Sequence, residues 1–177
     1  MGRYVFLLAL LLLSVYPLKA LAQPRKIVID CDPGIDDATA LILAMQASRF
    51  DILGITTVFG NATLEQGTKN ALRVVEISGK NIPVYKGAQK PLTVPLAAPP
   101  DFVHGKDGLG DSHQPEPKIA AQKKPAVQFL VDIVRAYPGQ ITIVAVGRLT
   151  NLAEAIRLDS NFTRNVKEVV LMACLEE

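Results

Sequence analysis

The chain has 177 residues, 49% of them hydrophobic, with 19 basic against 17 acidic residues for a net charge of +2. That length supports one compact domain, and a balance so close to neutral leaves no basic stripe for a nucleic acid partner. Two cysteines, Cys31 and Cys174, are too few for a disulfide scaffold, and their positions favour a buried free thiol at Cys31.

The amino-terminal stretch reads as an export leader. Arg3 lies in a short basic start, an apolar run covers 5–15, and Ala20-Leu21-Ala22 forms a small-residue cleavage site before Gln23. The apolar run is too short to favour a membrane span. The chain then divides into a leader over 1–22 and one domain over 23–177, and loss of Arg3 and Lys19 leaves 17 basic residues against 17 acids. The expected location is extracellular or periplasmic, with no membrane association after cleavage.

The first predicted strand, over 26–30, carries the apolar run Ile27-Val28-Ile29. At its end stands Asp30-Cys31-Asp32-Pro33-Gly34-Ile35-Asp36-Asp37, four carboxylates in eight residues. Two carboxylates about 4 Å apart repel by roughly 4 kcal/mol at an effective dielectric near 20, so a folded site holding several of them favours a cation. Calcium, a hard ion that takes oxygen ligands, is the natural guest. Asp30 and Asp32 share one side of an extended chain, while Pro33-Gly34 turns Asp36 and Asp37 to the start of a helix over 37–46. An N-cap is the plain alternative for Asp36. An EF-hand is excluded by spacing: counted from Asp30, glycine falls at position 5 and Leu41 occupies position 12.

A second strand over 52–58 leads to Gly60-Asn61, a turn or a ligand-facing loop. A helix over 64–78 follows, with Thr63 and Gln66 as a capping box and Gly79 as its stop. A short strand over 83–85 precedes a patternless stretch, 86–123, with six prolines and the glycine-rich His104-Gly105-Lys106-Asp107-Gly108-Leu109-Gly110-Asp111. So long an irregular segment marks a functional loop or lid, within which His104 reads first as a solvated or loop-stabilising residue. The helix over 126–136 is the clearest, since Ala126, Phe129, Leu130, Ile133 and Val134 form one apolar stripe. A strand over 141–146, a helix over 152–157 begun by Asn151 with Glu154, and a strand over 169–172 complete the pattern. Branched apolar strands alternating with amphipathic helices predict an α/β fold, an open, mostly parallel sheet covered on both faces. Ligands of such sheets bind beyond the carboxyl ends of the strands, where the acidic run, Asn61 and Gly147-Arg148-Leu149-Thr150-Asn151 all fall. Asn61-Ala62-Thr63 and Asn161-Phe162-Thr163 match the N-glycosylation pattern; if Asn61 lines a pocket, Asn161 is the acceptor.

The run DCDPGIDDA after a short strand resembles the signature of the inosine-uridine-preferring nucleoside hydrolases. The likeness continues through Ile55-Thr56-Thr57-Val58-Phe59-Gly60-Asn61, Gly147-Arg148-Leu149-Thr150-Asn151-Leu152-Ala153 and Val169-Val170-Leu171-Met172. It implies a Rossmann-like nucleoside hydrolase core and calcium-dependent hydrolysis of the N-glycosidic bond of a ribonucleoside to base and ribose. Carried over, Asp32 resembles a calcium ligand that is also the general base, Asp37 a bidentate calcium ligand, and Thr150 a ligand through its carbonyl. Asp36 and Asn61 match positions that hold ribose hydroxyls, and Asp30 a supporting acid. A departing base leaves positive charge on the ribose, which carboxylates stabilise.

The family pattern continues after Met172 with two glycines and a long carboxyl-terminal part, where this chain reads Ala173-Cys174-Leu175-Glu176-Glu177. The expectation is a truncated domain that is at most a poor hydrolase, with an exposed, aggregation-prone sheet edge. A homo-oligomer is open for a full-length form. The alternative is a secreted nucleoside- or ribose-binding protein without turnover. An aspartyl phosphotransferase ranks third, since proline and two acids follow the Asp-x-Asp pair where small hydroxyl residues belong.

Overall fold

The computed structural model describes residues 23–172. The leader and Cys174 therefore lie outside the described residues. Five strands form one sheet: β1 (Arg25–Cys31), β2 (Phe50–Thr57), β3 (Val84–Lys86), β4 (Thr142–Ala145) and β5 (Glu168–Leu171). Their order is β3-β2-β1-β4-β5 and every pairing is parallel. The helices are α1 (Ile35–Gln46), α2 (Leu64–Ser78), α3 (Asp101–His104), α4 (Ala126–Ala136), α5 (Thr150–Leu158) and α6 (Phe162–Asn165). The expected parallel α/β sheet is thus the observed one.

Alternation along β1 builds two cores. Ile27, Ile29 and Cys31 pack with Leu41 and Met45 of α1 and Ala71, Leu72 and Val75 of α2. Val28 points the other way, into Phe129, Leu130 and Val134 of α4, Ala155 of α5 and Phe162 of α6. A parallel sheet covered on both faces needs this continuous apolar run. The β1–β2 register passes from Ile27 opposite Ile52 to Val28 opposite Gly54, so Leu53 is an extra residue in β2. That bulge turns Gly54 toward α4, where a Cβ would sit 2.7 Å from Phe129 Cζ, under a ring stacked on Tyr85 with centroids 3.8 Å apart.

Element ends differ from the sequence reading in ways that have local causes. Helix α1 begins at Ile35 rather than residue 37 because Gly34 serves as its N-cap, which places Asp36 inside the first turn and removes the N-cap role considered for it. Only half of the expected capping box at α2 forms. The Thr63 hydroxyl accepts from the Gln66 N–H at 3.2 Å, but the Gln66 side chain turns inward to Asn70 Oδ1 at 3.0 Å. The segment over 86–123 contains α3, and the Gln122 N–H returns to the Val84 carbonyl at 2.8 Å. Among the described residues strand β5 is exposed along its length, with Val170 at 51% and Leu171 at 48%. Among the described residues no helix is long and apolar enough to cross a membrane.

Gly54→Val forces branched carbon against the Phe129 ring and is expected to cost about 1–3 kcal/mol, as overpacking of a filled core does. Urea unfolding measures it, and a neutral result would mean that the ring stack yields freely.

Candidate functional site in the crevice beyond β1, β2 and β4

Strand order reverses between β1 and β4, because the chain runs outward from β1 through β2 and β3 before crossing to β4. Such a switch point leaves a crevice beyond the strand ends, where neighbouring loops diverge. The loops after β1, β2 and β4 line it. The Val146 and Gly147 N–H groups both donate to the Asp30 carbonyl, at 2.8 and 3.2 Å, fixing the β4 loop against β1.

The structure brings Asp32, Asp36, Asp37 and Asn61 together. The Asn61 N–H donates to Asp32 Oδ2 at 3.0 Å, while its Nδ2 donates to Asp37 Oδ2 at 2.9 Å and Asp36 Oδ1 at 3.5 Å. One asparagine therefore ties the second loop to three carboxylates of the first. Close backbone approach requires glycine at two places. A Cβ at Gly60 would fall on the Asp32 carboxylate, and one at Gly147 would lie 2.7 Å from the Asp32 nitrogen. Asp36 stays at the rim, with its side chain 56% exposed. Thr150 is buried as the first residue of α5, beyond the β4 loop, and is joined to the acids through its neighbour Asn151.

Asp30 lies beneath this group, fully buried. Its Oδ1 accepts from the Thr56 hydroxyl at 2.5 Å and from Asn151 Nδ2 at 2.8 Å. Asn151 also donates to the Thr57 carbonyl at 3.0 Å and accepts from the Ala88 N–H at 2.8 Å. A single side chain thus joins the ends of β1 and β2 to the turn after β3. The sequence reading gave Asn151 to the helix start; the helix instead begins at Thr150 with no side-chain cap, because the buried acid and the loop groups claim the amide. Thr56 and the structural role of Asn151 left no period or spacing signal of their own. His104 is buried rather than solvated: its Nδ1 accepts from the Ile35 N–H at 3.4 Å and lies 3.8 Å from Asp36 Oδ1. Gly34 makes room for it, since a Cβ there would stand 2.7 Å from His104 Nδ1.

Electrostatics follow from burial. Desolvation, with the Asp37 charge added, pushes Asp32 up to about 7. Burial raises Asp37 to about 6, opposed by the Gly34 N–H. Asp30 is raised to about 6 by burial, partly offset by Thr56 and Asn151. Cys31 is buried, and desolvation together with the three surrounding acids holds its thiol well above the ordinary range, so it packs as a neutral group.

Asp37 Oδ1 and Asp30 Oδ2 are buried without any hydrogen-bond partner. An orphaned carboxylate oxygen in a cluster of raised acids is the arrangement that a bound cation satisfies, so the donor set fits a hard metal ion. No three His, Cys, Asp or Glu side chains converge as a metal cluster among the described residues. What the crevice offers is the pair Asp32 and Asp37, drawn together on Asn61, with Asp37 Oδ1 left bare.

These shifts set a pH dependence. Each acid has its folded pKa above the unfolded 3.8, so the folded chain binds more protons between about pH 4 and about 7 and loses stability as pH rises through that window. With chelator present, the melting temperature is expected to fall from pH 4.5 to 7.5 and then level off. Melts at constant ionic strength test this, and a rise across the window would contradict it. Asn151→Leu strands Asp30, the Thr57 carbonyl and the Ala88 N–H, at about 1–3 kcal/mol for each unsatisfied group, so a loss of about 3 kcal/mol or more is expected in urea unfolding.

Comparison with known proteins identifies the family and the fold. The family model described as inosine-uridine preferring nucleoside hydrolase matches residues 27–175. Uridine nucleosidase 1 of Arabidopsis thaliana is 46% identical over 153 residues, covering 86% of this chain and 46% of the relative. The inosine-uridine preferring nucleoside hydrolase of Leishmania major is 45% identical over 153 residues, covering 85% and 48%. Among solved structures, a plant nucleoside hydrolase superposes with TM-score 0.81 at 39% identity over 84% of this chain and 47% of its own. A purine-preferring ribonucleoside hydrolase from Gardnerella vaginalis gives 0.80 at 32% identity, over 84% and 48%. The chain spans about half the length of the relatives it matches. With the family model matching most of its length, the chain belongs to the inosine-uridine preferring nucleoside hydrolase family.

Proposed function

We propose that this site serves the hydrolysis of the N-glycosidic bond of a ribonucleoside, releasing base and ribose. The observation that carries the reading is Asn61 bridging Asp32 and Asp37 while Asp37 Oδ1 stays buried and unpartnered. Family membership supports the same class of substrate.

Asp32, Asp37 and the Thr150 carbonyl would hold a calcium ion, which supplies positive charge for the sugar diol and for the attacking water. Asp32 is the general base. In the metal-free chain burial and the Asp37 charge hold Asp32 up at about 7, a bound cation would lower it, and the Asn61 N–H on Oδ2 fixes the carboxylate in place. Asp36, exposed at the rim, and Asn61 accept and donate to the ribose hydroxyls. As the C–N bond breaks, its electron pair leaves with the base, which takes up a proton from solvent, matched by the one that Asp32 later returns to it. The ring carries positive charge that the surrounding carboxylates stabilise. Water adds to the anomeric carbon and gives its proton to Asp32. Asp30 acts from below as a supporting acid, held by Thr56 and Asn151.

A second reading, nucleoside or ribose binding without turnover, uses the same acids, with Asp36 exposed at the rim where a sugar hydroxyl would meet it. Export, read from residues 1–22, would place either activity outside the cell or in the periplasm.

The full chain, incubated with uridine or inosine and calcium, is followed by chromatography of the free base beside calorimetry of binding. Base release that Asp32→Asn abolishes supports hydrolysis; saturable binding with no release supports the second reading; neither signal would overturn the site. Asp37→Asn is expected to weaken calcium binding at least about a hundredfold, near 3 kcal/mol, and unchanged affinity would remove Asp37 from the ligand set.

A further inference from the structure

We infer that Asn70 of α2 is a positioning residue that clamps the acidic turn to the glycine-rich loop, so that the two keep one spacing. The inference deepens the reading of the acidic turn as a cation site and rests on it only for its effect on the ion.

Asn70 is 3% exposed, and its Nδ2 donates to two carbonyls from different loops, Pro33 at 3.0 Å and Asp107 at 2.9 Å. Pro33 lies in the acidic turn between Asp32 and Asp37, and Asp107 lies in the glycine-rich loop. Carbonyls only accept, so the NH₂ end of the amide must face them. The other end is also claimed, because Gln66 Nε2 donates to Asn70 Oδ1 at 3.0 Å. This is the contact that drew Gln66 away from its capping box. The amide is thereby fixed at three points across three segments.

Both clamped segments are rigid bodies. In the glycine-rich loop, Asp107 Oδ1 accepts from the Leu109 and Asp111 N–H groups at 2.7 and 2.8 Å, and Asp111 Oδ1 accepts from the Lys106 N–H at 2.7 Å. Gly105, Gly108 and Gly110 all have positive φ, the backbone conformation this tight loop needs at those three positions. Gly108 sits against the clamp, where a Cβ would be 2.8 Å from Asn70 Nδ2. In the acidic turn, the Gly34 N–H donates to Asp37 Oδ2 at 3.3 Å. Moving the Pro33 carbonyl therefore moves Asp37. The loop also carries His104 to the Ile35 N–H, a second and longer contact between the same two segments at 3.4 Å. Asn70 is placed to act on the site through Pro33 and Asp107.

The test compares the unaltered chain with Asn70→Asp, which keeps the shape and replaces the two donors by an acceptor, and with Gln66→Glu, whose introduced carboxylate draws the Asn70 NH₂ away from the loops. Two readouts are taken: amide hydrogen exchange by NMR, and titration with calcium chloride by calorimetry. The clamp predicts at least tenfold faster exchange at Ala38, the α1 residue whose N–H donates to the Gly34 carbonyl of the acidic turn, and at Gly110 in the glycine-rich loop, with Val134 of α4 unchanged, and a calcium Kd at least tenfold weaker. A residue that merely stabilises α2 would speed exchange at Val134 equally and leave the Kd of the folded protein unchanged; that result overturns the clamp, as does loosening of only one loop. Should Asn70→Asp fail to fold, Gln66→Glu decides by the same criteria. Should the unaltered chain take up no calcium, the cation reading fails and exchange alone decides the clamp.

Discussion

Everything around the crevice depends on burying several carboxylates at and beyond the end of one strand without pairing them with a basic side chain. Asp30, Asp32 and Asp37 are all buried, and all are pushed above the ordinary carboxylate range. Their closest partners are neutral amides and hydroxyls: Asn61 for Asp32 and Asp37, Asn151 and Thr56 for Asp30. A neutral donor satisfies oxygen lone pairs but adds no positive charge, so the cluster stays electron-rich. A lysine or arginine in the same place would have formed an ion pair and consumed the charge that a cation, and in the proposed reaction a developing ribosyl cation, would otherwise meet. Arg148 acts on Asp32 only as a smaller, lowering influence, with its guanidinium 5.3 Å over the Phe59 ring.

The three asparagines divide the mechanical work. Asn151 stitches the ends of the strands, Asn61 links the second loop to the acids, and Asn70 reaches from α2 to the loops above. Each joins segments far apart in sequence, and each uses an amide's ability to donate and accept at once. The glycines complete the arrangement by permitting approach: Gly60 and Gly147 let backbone close on Asp32, and Gly34 admits His104 and Asn61. The strain of concentrating charge is therefore met by hydrogen bonds that cross the switch point of the sheet.

Much of this was legible in the sequence, for identifiable reasons. The strands could be read because a sheet covered on both faces demands unbroken branched apolar runs, and α4 because its stripe matches the helical period. The acidic run was legible because four carboxylates in eight residues have few structural uses. His104, Thr56 and Asn70 were not legible as site neighbours. Their side chains carry no pattern along the chain, and their partners lie 69, 26 and 37 residues away. The Gln66 capping box looked sound locally but formed only in half, because the Gln66 side chain pairs one turn on with Asn70 of the same helix, whose amide the two loops orient.

By itself, the sequence determined the class of fold, the sheet's parallel character and the identity of the acids that gather at the end of β1, because apolar periodicity and charge density are local properties of a chain. Tertiary structure alone decided which oxygens are satisfied and which are left bare, which asparagine serves which loop, and that His104 turns inward. Those outcomes depend on burial and on distances between segments that meet only once the sheet has formed, since desolvation and hydrogen-bond geometry have no value in the extended chain.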